Sequence, residues 1–300
     1  MLRRRPDEDS QPYQPLAIAR WSMKKALLPS ERASWTATLL LIVVGVLFIY
    51  PFVWMFCSAF KDNKEIFKPL QLLPGAWNLE YYKLLFKGEL IPFWRVFANS
   101  VLVAFLQALG TVALTSLAGY VFAQHRFRFQ GLLFVASLVV IVLPQQALAI
   151  PLFSWLNELK MIDSIWGVVL PGVVSGLGIL YFTQVFRQIP RELVEASRLA
   201  GLSEFRVYWT LLPLCGSALL SFGLIQFILS WHEHLIPLLV LSTQDKQTLP
   251  LALASLFGSS LRFPFAVLMA ASTITILPTA ILFAVMHRRF KSSLSEVLPH

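Results

Sequence analysis

Residues 39–49 read Leu-Leu-Leu-Ile-Val-Val-Gly-Val-Leu-Phe-Ile and contain no polar side chain. They belong to a longer stretch, between Arg32 and Lys61, that has no Asp, Glu, Lys or Arg. A helix needs about 20 apolar residues to cross about 30 Å of hydrocarbon. A membrane β-strand has about 10 residues of alternating polarity. The stretch therefore predicts a membrane-spanning helix and argues against a β-barrel.

Five further stretches of this kind follow along the chain. All six are 23 to 30 residues long, and the later five lie between Arg95 and Arg126, Arg128 and Glu158, Asp163 and Arg187, Arg206 and Glu233, and Arg262 and Arg288. Only 14% of the 300 residues are charged, against about 25% in soluble domains. The sequence predicts an all-α integral membrane protein with six transmembrane helices.

The Lys and Arg residues are distributed unevenly between the two faces of this arrangement. With six spans both termini share one side, and 16 of the 25 Lys and Arg residues fall there. The positive-inside rule then predicts that both termini are cytoplasmic. The net charge of +9 is explained by this topology and by attraction to anionic membrane lipid. No basic stripe with interleaved aromatics lies on a soluble face, so we expect no nucleic-acid partner.

The predicted spans divide the chain into regions. Residues 1–34 form a polar cytoplasmic tail, residues 35–290 a transmembrane domain with a cytoplasmic loop at 187–209, and residues 291–300 a second tail. Cys57 and Cys215 fall near opposite faces, so we expect no disulfide between them.

Proline recurs in or just beside the predicted spans, at Pro144, Pro171, Pro213, Pro237 and Pro278. A proline in a membrane helix frees a backbone carbonyl, which cavity water or a neighbour must satisfy. The pattern fits kinked helices around a solvated path. It also fits the ordinary frequency of proline in membrane helices.

The cytoplasmic loop contains a short predicted helix. Pro190 suits the first helical position, Glu192 favours the positive end of the helix dipole, and Gly201 can adopt the left-handed conformation that ends a helix. Its positions 193, 196, 197 and 200 share one face, and three of these four are small. Such a face permits close approach of another protein, although contact with lipid headgroups alone would also be compatible.

A charged stripe lies beside this face of small residues. Arg191, Glu195 and Arg198 form it, and these side chains are candidates for ion pairs with a partner protein.

The loop resembles the EAA loop of the permease subunits of binding-protein-dependent ABC importers, in its Glu195-Ala196-Ser197, Gly201 and Leu212-Pro213-Leu214. The match is nearest to the carbohydrate-uptake branch, the maltose and glycerol-phosphate type. It covers roughly residues 50 to 290 and includes residues 77–82, 97–100, 118–123 and 248–251.

The resemblance implies a type I ABC importer permease fold in a bacterial inner membrane, with residues 191–202 as a coupling helix in a cleft of a separate ATPase. It also implies a second, related permease, an external solute-binding protein and a sugar or sugar-like solute. The ATPase-coupling candidates are Glu195, Ala196, Ser197, Arg198, Ala200 and Gly201. Ala200 departs from the family, which usually has an acid there, and this departure bears on which ATPase is bound.

ATP hydrolysis is expected on another chain. A phosphate-binding loop needs a Gly-Lys pair, and this chain has none. We expect that this chain is not an enzyme and that it has no catalytic residue and no cofactor. We also expect no metal site, because His232 and His234 point to different sides of a helix.

Four residues near the outer face are candidates for the substrate path: Trp231, His232, Glu233 and Asn99. An indole can stack on a sugar ring, and ionisable groups near a membrane indicate function. Trp231 can equally be an interfacial anchor, Glu233 can face water, and Asn99 can cap a helix. The rival interpretations are a stand-alone channel or secondary transporter, which would favour charges at mid-span, and an ABC permease for a non-sugar solute.

Overall fold

A computed structural model describes residues 31–68, 71–258 and 264–297, with side chains described at 35–68, 71–257 and 264–285. The predicted tail at 1–34 lies almost entirely outside these residues, as do Arg262 and residues 298–300. Throughout the described ranges the regular structure is helical, with no β-strand. The prediction of an all-α fold is confirmed.

Fourteen α-helices are described, most of them short. They are α1 (Glu31–Ser58), α2 (Asn63–Ile66), α3 (Glu80–Lys87), α4 (Phe93–Gln124), α5 (Gln130–Val142), α6 (Ala149–Glu158), α7 (Ile165–Val173), α8 (Gly176–Arg187), α9 (Arg191–Leu199), α10 (Glu204–Leu211), α11 (Gly216–His232), α12 (Leu235–Val240), α13 (Leu249–Gly258) and α14 (Phe265–Val297). Short 3₁₀ helices occupy Gln145–Leu148, Leu212–Cys215 and Gln244–Lys246.

Four helical segments of the described chain are long and apolar enough to cross a membrane unbroken. They are Trp35–Ser58, Phe93–Gln124, Glu204–His232 and Phe265–Val285. Each overlaps most of one predicted charge-free stretch, because a long apolar run without charges specifies a spanning helix.

The other two predicted spans are bent. Gln130–Val142 and Gln145–Glu158 meet at 104°, and Ile165–Val173 and Gly176–Arg187 meet at 44°. The described residues give six spans if each bent pair is one span. Pro144 lies at the sharper break, where it cannot donate a backbone hydrogen bond. Alone, the 13 residues of α5 cover about 20 Å, which is too short to cross the bilayer.

The chain divides into two units, residues 1–53 and 54–300. In the first, α1 exposes every apolar side chain from Leu39 to Ile49. Such a surface suits contact with lipid chains.

In the second unit α4 is the central helix and packs against α7, α8 and α11. Glycine permits the closest approach: a Cβ at Gly119 would lie 2.6 Å from the Cβ of Phe182. At Gly178 a Cβ would lie 2.7 Å from Oγ1 of Thr115. Since lipid tails are as apolar as leucine, such close backbone packing is what holds membrane helices together.

A polar clasp at Asp163 fixes the turn before α7. Its carboxylate accepts hydrogen bonds from the backbone N–H groups of Ser242 and Thr243, at 3.1 and 2.9 Å. The Thr243 hydroxyl and the Lys246 ammonium also donate to it, at 2.7 and 2.8 Å. These contacts hold the pKa of Asp163 well below its usual range, and the hydrogen bond from Lys246 has the largest effect. The clasp thus joins the α6–α7 turn to the loop after α12.

The two cysteines are both free and buried. Cys57 lies near the end of α1, and Cys215 lies in the 3₁₀ turn that precedes α11. The expectation that they do not form a disulfide is confirmed.

Candidate functional site

The predicted loop helix is α9, which spans Arg191–Leu199. Pro190 precedes it as the capping residue, one position before the expected place. Gly201 has φ +76°, and its N–H donates to Arg198 O at 2.9 Å while Leu202 N–H donates to Ser197 O at 3.3 Å. These two bonds form a Schellman motif. The prediction that Gly201 ends the helix in the left-handed conformation is confirmed.

One residue fastens α9 to the protein by packing. Val194 is 2% exposed and lies against the cluster that contains Phe186, Val207 and Tyr208. On other sides of the helix Ala196 and Ala200 are exposed, and Leu193 is 47% exposed. The predicted face of small residues is therefore largely uncovered in this chain.

Two side chains on α9 have an exposure that the predicted face of small residues does not indicate. Ser197 is half-buried, and its hydroxyl donates to Leu193 O at 2.8 Å. Leu199, which sequence reasoning did not single out, is 89% exposed. An almost fully exposed leucine beside a face of small residues extends the apolar surface that α9 presents.

The hypothesis that Arg198 pairs with a partner protein is corrected, because its side chain is paired with Glu204 of the same chain. Its Nε donates to Oε1 of Glu204 at 2.9 Å, and its Nη2 donates to Oε2 at 3.3 Å. This hydrogen bonding raises the pKa of the guanidinium. The turn at Gly201 brings the first residue of α10 beside the last turn of α9, so Arg198 is paired within its own chain.

Glu204 connects three helices. Besides Arg198, it accepts a hydrogen bond from the Tyr120 hydroxyl at 2.8 Å, and Nε2 of His125 lies 3.1 Å from its Oε2. Tyr120 is on α4 and His125 immediately follows that helix. We call these four residues the Glu204 cluster. Sequence reasoning missed it, because an acid in the first turn of a helix signals only dipole stabilisation.

A second candidate site is a cavity of about 470 Å³ in the membrane region, which we call the central cavity. Gln145 lines it at the break after Pro144, Ser175 lines it between α7 and α8, and Glu233 lines it between α11 and α12. Two bent spans and the end of α11 thus meet around one space. Non-helical backbone at membrane depth is tolerated where it lines a cavity.

The central cavity is polar in part. The Gln107 amide donates to Val168 O at 2.8 Å, and the Gln226 amide lies 3.4 Å from Gly172 O. Among the described residues the Ser230 hydroxyl has no hydrogen-bond partner, although Ser230 is only 8% exposed. The Glu233 carboxylate accepts from Leu235 N–H at 2.7 Å and thereby starts α12. The cavity can offer amide, hydroxyl and carboxylate groups to a polar solute.

The four path candidates have separate places. Glu233 lines the central cavity. His232 is exposed and lines an adjoining space of about 230 Å³ with Gln146. Trp231 and Asn99 lie elsewhere.

Trp231 is a packing residue in this structure, which corrects its assignment to the path. It is 1% exposed, and its ring packs against Phe97 and Phe227. Its indole N–H donates to Thr275 O at 3.1 Å. Both the apolar face and the polar edge of the indole are therefore already used.

Asn99 neither caps a helix nor lines the central cavity in this structure, which corrects both predicted roles. It lies in the second turn of α4, and its amide donates to Asp245 O and Gln247 O at 2.9 and 3.0 Å. The neighbouring Ser100 hydroxyl accepts from Leu249 N–H at 2.7 Å and caps α13. Both residues hold the loop before α13 against α4.

Sequence reasoning did not single out Gln107, Gln145 or Gln226, all of which line the central cavity. The available signal was an amide side chain inside a charge-free stretch, since a polar group in a membrane helix usually faces the interior of the helix bundle.

Among the described side chains no group of three His, Cys, Asp or Glu residues is arranged to hold a metal ion. The expected absence of a metal site stays a prediction for the whole chain.

Residues 115–294 match the family model described as "Binding-protein-dependent transport system inner membrane component". The chain belongs to this family. It is therefore a multi-pass membrane component of a transport system and not an enzyme.

Two curated relatives match over most of their length. The arabinooligosaccharides transport system permease protein AraQ of Halalkalibacterium halodurans is 28% identical over 269 residues, 87% of this chain and 95% of the relative. The sn-glycerol-3-phosphate transport system permease protein UgpE of Escherichia coli is 29% identical over 266 residues, 86% and 94% respectively.

The fold is also similar to a chain in the crystal structure of a bacterial ABC transporter involved in the import of the acidic polysaccharide alginate. The TM-score is 0.75 at 18% identity, and the match covers 93% of this chain and 100% of that one. This likeness supports the type I ABC importer permease fold.

Proposed function

We propose that this chain is the permease subunit of an ABC importer and that the central cavity is part of the path of a neutral sugar. The observation that carries the proposal is the meeting of two bent spans, at Gln145 and Ser175, with the end of α11, at Glu233, around one partly polar space. Secondary transporters bind their substrates at helix interruptions of this kind.

The lining of the central cavity favours a neutral solute. Its amides and the Ser230 hydroxyl can exchange hydrogen bonds with sugar hydroxyls, while no Lys or Arg is among its lining residues. A phosphate or an acidic sugar would need a cation to offset its desolvation. Of the substrates that the relatives' names state, an oligosaccharide therefore fits better than sn-glycerol-3-phosphate. A non-sugar polar solute is the alternative.

We further propose that α9 docks on an ATPase subunit through its uncovered face. Ala196, Ala200 and Leu199 are exposed there, and Val194 and the Glu204 cluster hold the other side of the helix. A movement imposed on α9 would then reach α4 through Tyr120. In this arrangement both termini are cytoplasmic, and a related permease and an external binding protein complete the assembly.

Cysteine labelling tests the path. We expect Ser230→Cys to react with a small water-soluble thiol reagent in the assembled transporter and to be protected by the transported sugar. The matched control is Ser58→Cys, because Ser58 is 0% exposed and is not among the cavity's lining residues. The native thiols are buried and set the background. Equal labelling of both variants, or no protection by any transported solute, would contradict the path.

Co-purification tests the docking of α9. We expect Ala196→Trp and Gly201→Trp to lose the ATPase while remaining inserted in the membrane, because Ala196 is exposed on the uncovered face. Glu158→Lys, an exposed acid at the end of α6, is the control and should retain the ATPase. Transport by the isolated wild-type chain in liposomes without nucleotide would favour a stand-alone transporter instead.

A further inference from the structure

A third cavity, of about 690 Å³, lies at the end of the bundle that carries α9, and we call it the basic cavity. Its walls come from the end of α4, the start of α5, the end of α8 and one side of α9. Neither the central cavity nor the uncovered face of α9 includes it.

Three arginines of the basic cavity have no side-chain partner in the part of the chain that the structure describes. Arg126, Arg187 and Arg191 line it, and the structure shows no ion pair or hydrogen bond for their side chains among the described residues. One carboxylate, Glu195, is also in the lining, whereas Glu204 already binds the lining residues His125 and Arg198. Positive charge therefore exceeds negative charge in this space, and an anion would be attracted to it.

The remaining walls are apolar and continue onto a surface suited to lipid. Phe122, Phe134 and Val194 line the basic cavity. Next to it α5 exposes Leu132 and Leu133, which are 67% and 51% exposed. A small hydrated anion would gain nothing from these walls, whereas an amphiphile with an anionic head and an acyl chain matches both parts.

We propose that the basic cavity binds the phosphate headgroup of an anionic phospholipid, whose acyl chains lie along α5. Arginine suits this role because its planar guanidinium binds phosphate oxygens through two parallel hydrogen bonds. Basic pockets between membrane helices on the cytoplasmic side recognise anionic lipids in this way. The site depends on the proposed orientation of the chain but not on the transported solute.

Native mass spectrometry of the delipidated full chain, titrated with phosphatidylglycerol or phosphatidylcholine, tests the proposal. We expect the wild type to retain phosphatidylglycerol preferentially. The triple variant Arg126→Gln, Arg187→Gln, Arg191→Gln should lose about 10-fold or more in this preference, since each Lys or Arg near an anionic lipid contributes substantially to its binding. The control removes three exposed positive charges elsewhere: Lys64→Gln, Lys68→Gln, Lys83→Gln.

A second variant leaves every charge in place. A Cβ at Gly131 would meet no atom within 4 Å, so Gly131→Trp can fill the cavity without a clash at its first carbon. We expect it to lower lipid retention at an unchanged elution volume on size exclusion. This variant keeps the test informative if the triple variant fails to fold.

Three outcomes would overturn the proposal. Equal loss of preference in the arginine and lysine triples would show general electrostatic attraction. Displacement of the lipid by inorganic phosphate at matched concentration would indicate a site for a free anion. Loss of the preference on assembly with the ATPase would assign the arginines to that protein. All three readouts measure lipid retention, so their results do not depend on whether the proposed transport function is correct.

Discussion

Arg198 and Glu204 join the last turn of α9 to the first turn of α10, with Nε 2.9 Å from Oε1 and Nη2 3.3 Å from Oε2. The left-handed Gly201 lies between them in sequence. Glu204 in turn accepts a hydrogen bond from Tyr120 on α4. The short helix is therefore tied to the central helix of the bundle by polar contacts as well as by the packing of Val194.

Glu204→Gln tests whether this connection transmits movement. The side chains of Arg198 and Glu204 are both partly exposed, so we expect the free energy of unfolding to fall by less than about 1 kcal/mol. Transport per ATP hydrolysed should fall about 5-fold, the size of a modest coupling free energy. The control is Glu192→Gln, an exposed acid in the first turn of α9. Equal effects of the two variants on the transport-to-hydrolysis ratio would contradict this role.

Gly201→Ala isolates the conformational requirement at the end of α9. Gly201 has φ +76°, and a Cβ there would meet no atom within 4 Å, so the cost is backbone strain of about 1 kcal/mol. Gly216 also has open space around a Cβ but a helical φ of −54°. We expect thermal unfolding in detergent to show destabilisation for Gly201→Ala and none for Gly216→Ala. Equal shifts would mean that the positive φ is not the cause.

The features that sequence reasoning predicted correctly are local ones. Trp35–Ser58 and Phe93–Gln124 span because an apolar run without charges is enough to specify a membrane helix. The end of α9 was predictable because Gly201 carries the left-handed preference itself.

The features that it missed depend on contacts distant in sequence. Tyr120 reaches Glu204 across 84 positions, and Asn99 reaches Gln247 across 148. The break at Ser175 contains no proline, so its place follows from packing against neighbouring helices. The burial of Trp231 also depends on residues distant in sequence, Phe97 and Thr275. From sequence alone an indole near a membrane surface can pack in the core or stack on a solute.

Trp231→Ala tests the reassignment of this residue to packing. The ring is 1% exposed, so its removal should cost about 3 kcal/mol or more in the free energy of unfolding. Trp231→Phe keeps most of the volume but loses the hydrogen bond to Thr275 O, which should cost about 1 kcal/mol. We expect the KM for the transported solute to be unchanged in Trp231→Phe. A large rise in KM at unchanged stability would restore Trp231 to the path.

Asp163→Asn tests the polar clasp through its pH dependence. The folded pKa of Asp163 lies below the ordinary value of 3.8, chiefly because the Lys246 ammonium and the Thr243 donors favour the carboxylate. Its stabilising contribution is therefore complete above about pH 4 to 5 and declines as pH falls toward the folded pKa. We expect Asp163→Asn to lower the Tm in detergent equally at pH 7 and pH 6, and by less at pH 3. Asp245→Asn is the control, because its partner Arg95 is 3.8 Å away and both side chains are more than half exposed. A difference between Asp163→Asn and the wild type that widens toward pH 3 would contradict this account of the clasp.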